Sequence, residues 1–316
     1  MYKTPGFIPD IEKEEDYIFG AKTKLSGEVL LDSGDWRPYV PIMEQQRKNF
    51  DTYSCVSFAN NNACEIIHKF KYGEEVNYSD RFLSVVSNTI PGRGNSHNNV
   101  AEAKRIKGAV AEEIYPFTDS MSENEFFTYP PVGVLDTGIK WFVDYEYGYE
   151  KVRKTDFEEA LRRGPLQVAV DSRTNRTSQF QGADHSIILV AKDTKYHAYD
   201  SYFGRKLEYD LDYPFSFGMR HLYNKVLKIT INDMTFKLIR DMSTGKIYLV
   251  DSDGKIHHIE QEPDFIELMG QTAWVNKDWM DVPDVKNYAE GVSISAKKVN
   301  LFDQISAMFK KLGRKV

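Results

Sequence analysis

The 316-residue chain holds only two cysteines. Two thiols cannot build a disulfide framework. If Cys55 and Cys64 share one helix, nine residues put them about 13 Å apart, too far to bond to each other. A reducing compartment fits that usage. No run of about 18 apolar residues occurs, so no transmembrane helix is expected. The opening, MYKTPGFIPDIEKEEDYIFG, lacks a basic stretch followed by an apolar one; no secretory signal is expected, and a cytoplasmic location is. Net charge is −6, from 41 Lys and Arg against 47 Asp and Glu, so nothing global favours a nucleic-acid partner. What the chain does have is aromatic mass. Its 19 Phe and 19 Tyr argue against disorder, and 41% hydrophobic residues are ample for a core.

Residues 1–27 show little periodicity and read as an N-terminal extension. The span 28–232 is dense in apolar and aromatic residues. Its first half has helical spacing at 55–70, 77–88 and 98–109, with Gly108 as a stop. Its second half reads as strands: a short helix at 156–164 feeds PLQVAVD, then HSIILVAKD and KYHAYDSY follow. Helices first and strands later imply an α+β arrangement of two packed lobes rather than βαβ repeats. From 233 to 295 the texture changes. FKLIRDMSTGKIYLVDSDGKIHHIE alternates apolar and polar residues around two Gly-containing turns, which predicts a small β-rich hairpin or meander. Its DSDG is a plain turn, because a calcium loop would need an acidic residue where Leu249 stands. His257 and His258 alternate along a strand and point to opposite faces, so they share no metal. No cofactor is implied anywhere. The last stretch, 296–316, places Val299, Phe302, Ile305, Met308, Phe309 and Leu312 on one helical stripe. With six Lys and Arg against one Asp, it reads as a helix docking on its own protein. The alternative is a surface for a partner protein or an anionic membrane.

Cys55 opens an apolar helical pattern, CVSFANNNACEII, directly after Ser54. A thiol there meets the free N–H groups and positive dipole end of a helix, which favour the thiolate. A buried cysteine acting as a small hydrophobe is the bland alternative, and Cys64, among Ala63, Ile66 and Ile67, fits that role. A nucleophilic cysteine needs a base, and the base an orienting group. His185 opens an apolar strand, and Asp200 lies fifteen residues on in the next one, so neighbouring strands can bring the two together. His68, His97 and His197 are weaker candidates.

The order of motifs adds to this. From about Asp32 to Gly204 the chain resembles the papain family of cysteine peptidases. DSGDWRPYVPIMEQQ is similar to the family's DWR…V-x-x-Q segment, YSCVSFA to G-S-C-W-A-F, and NYSDRFL to N-L-S-E-Q-x-L. AKRIKGAVAEEIYPF resembles A…G…E…YPY, LRRGPLQVAVD resembles G-P-V-x-V-A-I, ADHSIILVAKD resembles N-H-A-V-x-V-V-G, and YDSYFG resembles K-N-S-W-G. The 130 residues from cysteine to histidine lie in the family's range. The resemblance implies a papain-like two-lobe fold, a helical lobe plus a β-barrel-like lobe, over 28–232. The small β-rich module and the basic terminal helix would follow it. It implies Cys55 as nucleophile, His185 as general base and acid, and Asp200 in place of the usual orienting asparagine. Gln45 would complete the oxyanion hole, with Gln46 as its rival. Gly94 and Asn95 in PGRGNSHNN, with Asp184 and Tyr202, would bind substrate, and Tyr202 replaces the tryptophan that shields the histidine. The implied substrate is a peptide or protein, cleaved through a thioester.

Several positions depart from the family. Val56 replaces a tryptophan, the segment between Gln45 and Cys55 is longer, and the long inhibitory propeptide and disulfide cysteines are missing. These features suit an intracellular prokaryotic or phage-type member. Two rivals stand beside the peptidase: another cysteine-nucleophile enzyme such as a transferase or amidase, and a scaffold retained as a component of an assembly such as a virion.

Overall fold

The computed structural model describes residues 6–10, 19, 28–42, 44–202 and 204–225, parts of 228–259, and residues 280–282 and 289–290. The expected helix at 296–316 and the DSDG turn lie outside the described residues. The chain forms two compact units, Met1–Asn224 and Lys225–Val316.

The first unit begins with helices: α1 (Cys55–Tyr72), α2 (Asp80–Val86), α3 (His97–Lys107), α4 (Glu123–Phe126), α5 (Val132–Lys140) and α6 (Phe157–Leu161). Local chemistry sets their ends. Ser79 and Ser96 accept the backbone N–H groups of Phe82 and Asn99, capping α2 and α3. α1 ends at Gly73 in the left-handed region, which glycine adopts without strain. α3 stops at Gly108, whose φ of +71° and close approach to the Gly138 carbonyl of α5 leave no room for a Cβ.

α1 is buried over most of its surface, from Cys55 to His68, because it runs between the helical lobe and the sheet. Several of its buried polar residues are paired. Asn61 donates to the Asp80 carboxylate at 2.8 Å, Glu65 accepts the Tyr78 N–H at 2.9 Å, and His68 Nδ1 meets the Tyr223 hydroxyl at 2.7 Å.

Six strands make the other lobe: β1 (Tyr145–Arg153), β2 (Leu166–Val170), β3 (His185–Lys192), β4 (Tyr196–Asp200), β5 (Arg205–Tyr209) and β6 (Phe217–Lys225). Their order in the sheet is β1-β6-β2-β3-β4-β5. β2, β3 and β4 pair antiparallel, with Val170 opposite His185 and Ile188 opposite Tyr199. The start of β3 and the end of β4 thus fall at one edge of the sheet. The core joins α1 (Ala63, Ile66) to the sheet (Val168, Ile188, Val190), together with Trp36 and Phe157. Trp36 is fixed by its indole N–H on the Leu161 carbonyl at 2.6 Å.

The second unit is the predicted antiparallel meander, β8 (Met234–Asp241), β9 (Ile247–Val250) and β10 (Lys255–Ile259), after β7 (Lys228–Ile231). β11 (Met280–Val282) and β12 (Ala289–Glu290) add parallel edges to β8 and β10. Because β7 pairs with β8, the division falls at Asn224 rather than at 232, the expected boundary. Among the described residues no helix is long and apolar enough to cross a membrane.

Candidate active site

Cys55 is the first residue of α1. Ser54, at the N-cap, makes no side-chain cap; its hydroxyl turns back to the Thr52 carbonyl at 3.0 Å. The helix end beside the sulfur is thus left without a capping side-chain oxygen from Ser54.

His185, first in β3, places Nε2 2.7 Å from Asp200 Oδ1, last in β4. Asp200 also accepts the Tyr202 N–H and the Arg205 guanidinium, each at 2.8 Å. Burial by itself would raise the Asp200 pKa; His185, the Tyr202 N–H and Arg205 outweigh it and hold the carboxyl below its ordinary value. Burial likewise pulls the imidazole down. The Asp200 charge, the nearby Cys55 sulfur and the hydrogen bond to Asp200 reverse this and leave His185 well above its ordinary value. With Nε2 committed to Asp200, Nδ1 is the nitrogen open to the sulfur. It is buried and has no well-aligned hydrogen-bond partner among the described residues. Tyr202 stands edge-on to the imidazole, centroids 6.1 Å apart, with its hydroxyl held by Arg47 at 2.6 Å.

Of the expected substrate-binding positions, Gly94, Asn95 and Asp184 lie against an unexpected segment, while Tyr202 stands by His185. The segment from Gly6 to Asp10 lies across the site. Gly6 and Phe7 donate backbone N–H groups to the Asp184 carbonyl at 3.0 and 3.1 Å. Asn95 N–H donates to the Gly6 carbonyl at 3.1 Å, and Ile8 N–H to the Asn95 carbonyl at 2.8 Å, a parallel bridge. Gly94 lies against the Gly6 backbone with φ +89°, where only glycine leaves space. A Cβ on Gly6 would stand 2.7 Å from Cys55 Sγ. Cys55 is accordingly 0% exposed and His185 2%. Residues 6–10, expected within a featureless extension, are part of the site.

Gln45, expected at the oxyanion hole, has an exposed side chain. Its neighbour Gln46 is 1% exposed, and its Oε1 has no hydrogen-bond partner among the described residues. The Gln46 N–H donates to the carbonyl of Ser201, the residue after Asp200, at 3.1 Å. Backbone direction in an irregular loop decides which of two adjacent glutamines turns inward, and no sequence period marks it.

The sequence also gave no sign of a polar chain through the core behind the site. His97 Nε2 meets Ser186 Oγ at 2.9 Å, and Gln167 donates to Ser186 at 3.1 Å and to the Val56 carbonyl at 2.8 Å. Gln167 Oε1 meets His221 at 3.0 Å, and His221 meets the Tyr147 hydroxyl at 2.8 Å. The chain ties α1 and α3 to the sheet beside both Cys55 and His185. Burial lowers the His97 pKa to about 4, so its ring is neutral at pH 7.

No family model matches this chain, and no curated protein does. Solved structures do. Xylellain, a cysteine protease from Xylella fastidiosa, aligns over 69% of this chain and 95% of its own, with 17% identity and a TM-score of 0.51. The bromelain protease from Ananas comosus aligns over 59% and 96%, with 17% identity and a TM-score of 0.45. The Amb a 11 cysteine protease of ragweed pollen, in its proform, aligns over 60% and 66%, with 15% identity and a TM-score of 0.47. The chain therefore has the papain-like α+β fold, an N-terminal helical lobe against an antiparallel sheet lobe. At these identities the likeness speaks to fold alone.

Proposed function

We propose that this protein is a cysteine peptidase acting through Cys55, His185 and Asp200. The observation that carries the proposal is the line of groups: a thiol at a helix N-terminus, an imidazole whose Nδ1 is open to it, and a buried carboxylate at 2.7 Å on Nε2. In the reaction, His185 Nδ1 takes the Cys55 proton, and Asp200 holds the imidazolium. The sulfur attacks the peptide carbonyl carbon, and the oxyanion is met by the Cys55 N–H and the Gln46 side-chain amide. Collapse breaks the C–N bond, and His185 returns the proton to the leaving amine. Water, deprotonated by His185, then cleaves the thioester and frees the acid.

The cleft beside the sulfur suits peptide backbone. Asn95 N–H, the Asn95 carbonyl and the Asp184 carbonyl already bind extended chain there. An adjoining cavity of about 380 Å³, walled by Phe180, Ala183, Met219 and His97, would take an apolar side chain.

The test is covalent labelling with an epoxysuccinyl peptide, read by mapping the modified residue, together with hydrolysis of a peptide library. Label on Cys55 that disappears in His185→Ala, with new N-termini released from the library, is the expected result. Amine incorporation without cleavage would assign the chain to the transferases instead. Absence of both label and turnover from a protein with Cys55 accessible would end the reading.

A further inference from the structure

Gln167 is the polar residue of an otherwise apolar strand. It stands in β2, LQVAV, whose five residues are all buried, and is itself 0% exposed. Burying an amide costs stability unless its polar groups are bonded, and here both N–H groups and the oxygen are. We infer that Gln167 is a positioning residue for the Cys55–His185 pair: it clasps the residue after the cysteine to the residue after the histidine, and so sets how the sulfur and the imidazole stand to each other. The inference rests on the peptidase reading for its effect on turnover, and on geometry alone for the clasp.

Sheet register puts the amide where it can do this. Gln167 pairs with Ile188 of β3 and with Met219 of β6. Residues two apart along a strand share a face, so Ser186 and His221 are its diagonal neighbours, one on each side. The direction of each bond is fixed by chemistry. A carbonyl can only accept, so the group facing Val56 is the NH2, which also donates to Ser186 Oγ. The amide oxygen can then only accept, which puts the His221 proton on Nε2 and leaves Nδ1 to accept from the Tyr147 hydroxyl. The Tyr147 oxygen in turn accepts an N–H from Asn60, on α1 again, at 2.9 Å. Burial holds His221 well below its ordinary pKa, so its ring stays neutral and this pattern persists.

Cys55 begins a helix and His185 a strand of the other lobe, so their separation depends on how α1 is seated on the sheet. Val56 and Ser186 follow them directly in the chain, and one side chain holds both. A fully bonded buried network fixes a single arrangement, which an apolar residue of the same size would not. The sensitivity is steep, since about 1 Å of misplacement between reacting groups costs roughly 100-fold in rate.

The experiment uses full-length variants. Gln167→Met removes the clasp at nearly constant volume. Tyr147→Phe breaks the same polar chain at its far end and leaves the bonds to Val56 and Ser186 in place, so it is the structural control. Ser186→Ala cuts only the β3 side; it should act like Gln167→Met at smaller amplitude, and keeps the test open if Gln167→Met does not fold. The readouts are kcat and KM on a fluorogenic peptide, the imidazole 15N titration of His185, and the urea midpoint. Gln167→Met should lower kcat roughly 10- to 100-fold with KM within about twofold of wild type. Its His185 titration should fall, because the sulfur that helps to raise it is no longer held in place. Tyr147→Phe should lower the urea midpoint and move neither kcat nor the His185 titration. A Gln167→Met protein with a lower urea midpoint but wild-type kcat and His185 titration would overturn the inference. So would a Tyr147→Phe protein that matches Gln167→Met in both. A His185 titration that moves in Gln167→Met alone, with no peptide hydrolysis by any form, would keep the clasp and remove the peptidase reading.

Discussion

Replacing Asp200 by asparagine separates geometry from charge at this site. Asparagine retains an oxygen for the His185 Nε2–H and the Tyr202 N–H, now at 2.7 and 2.8 Å, so the ring keeps its orientation. What disappears is the negative charge. At about 4 Å and an effective dielectric of about 20, that charge favours the imidazolium by up to about 4 kcal/mol. The retained neutral hydrogen bond and solvent relaxation reduce the loss, so a shift of at least ~1 pH unit, about 1.4 kcal/mol, is the expected signal. The sign follows from the wild-type direction. His185 is held above its ordinary pKa, so its charged form, and the stability it contributes, persist below 6.5 and are lost as pH rises through the raised value. In Asp200→Asn that loss comes earlier, and the basic limb of kcat/KM moves down. Arg205, 2.8 Å from Asp200 and 47% exposed, is left facing an amide. Adding Arg205→Met should restore part of the shift, worth no more than ~1 kcal/mol because the guanidinium is screened. The pH profile of kcat/KM measures this, and imidazole 15N titration by NMR does so without turnover. A basic limb and a ring titration that stay within a few tenths of a unit in Asp200→Asn would refute the electrostatic account of His185.

Four other substitutions test three separate parts of the structure. Gln46→Ala should lower kcat about 100-fold, the loss of roughly 3 kcal/mol typical of one oxyanion donor, while Gln45→Ala should leave it unchanged; steady-state kinetics distinguishes them. Glu150→Gln removes the charge opposite the buried Arg220, 2.6 Å away with both side chains at most 3% exposed, and should cost about 3–5 kcal/mol in urea unfolding. His97→Gln should flatten acid sensitivity. The wild-type unfolded chain takes up a proton as pH falls through about 6.5, whereas buried His97 resists until about 4, so roughly 3 kcal/mol is lost across that window. The urea midpoint followed from pH 7 to 4 reports it. Asp10 and Lys151 are the charges that bear on this ring.

Much of the fold could be read from spacing. Helical periods at 55–70 and 98–109 match α1 and α3 closely, and the strands at 165–171, 185–193 and 195–202 match β2, β3 and β4. α5, β1, β5 and β6 were not foreseen. β6 lies second from one edge of the sheet, between β1 and β2, so its position depends on partners more than 50 residues away in sequence. The placement of Cys55 at a helix start, and of His185 and Asp200 on successive strands, was also legible, because each depends on a local pattern.

What the sequence by itself determined is the set of local elements and the chemistry carried at their ends: a thiol where a helix begins, an imidazole where one strand begins, a carboxylate where the next one stops. Period and capping are short-range, so they are written in neighbouring residues. Only the tertiary structure decided that Gln46 rather than Gln45 turns inward, that His97, Ser186, Gln167 and His221 form one buried chain, and that Gly6 rests on the sulfur. Those outcomes depend on which distant backbone presents an unpaired group or leaves space for one atom, and a single-residue bridge such as Phe7 to Asn95 has no period to betray it.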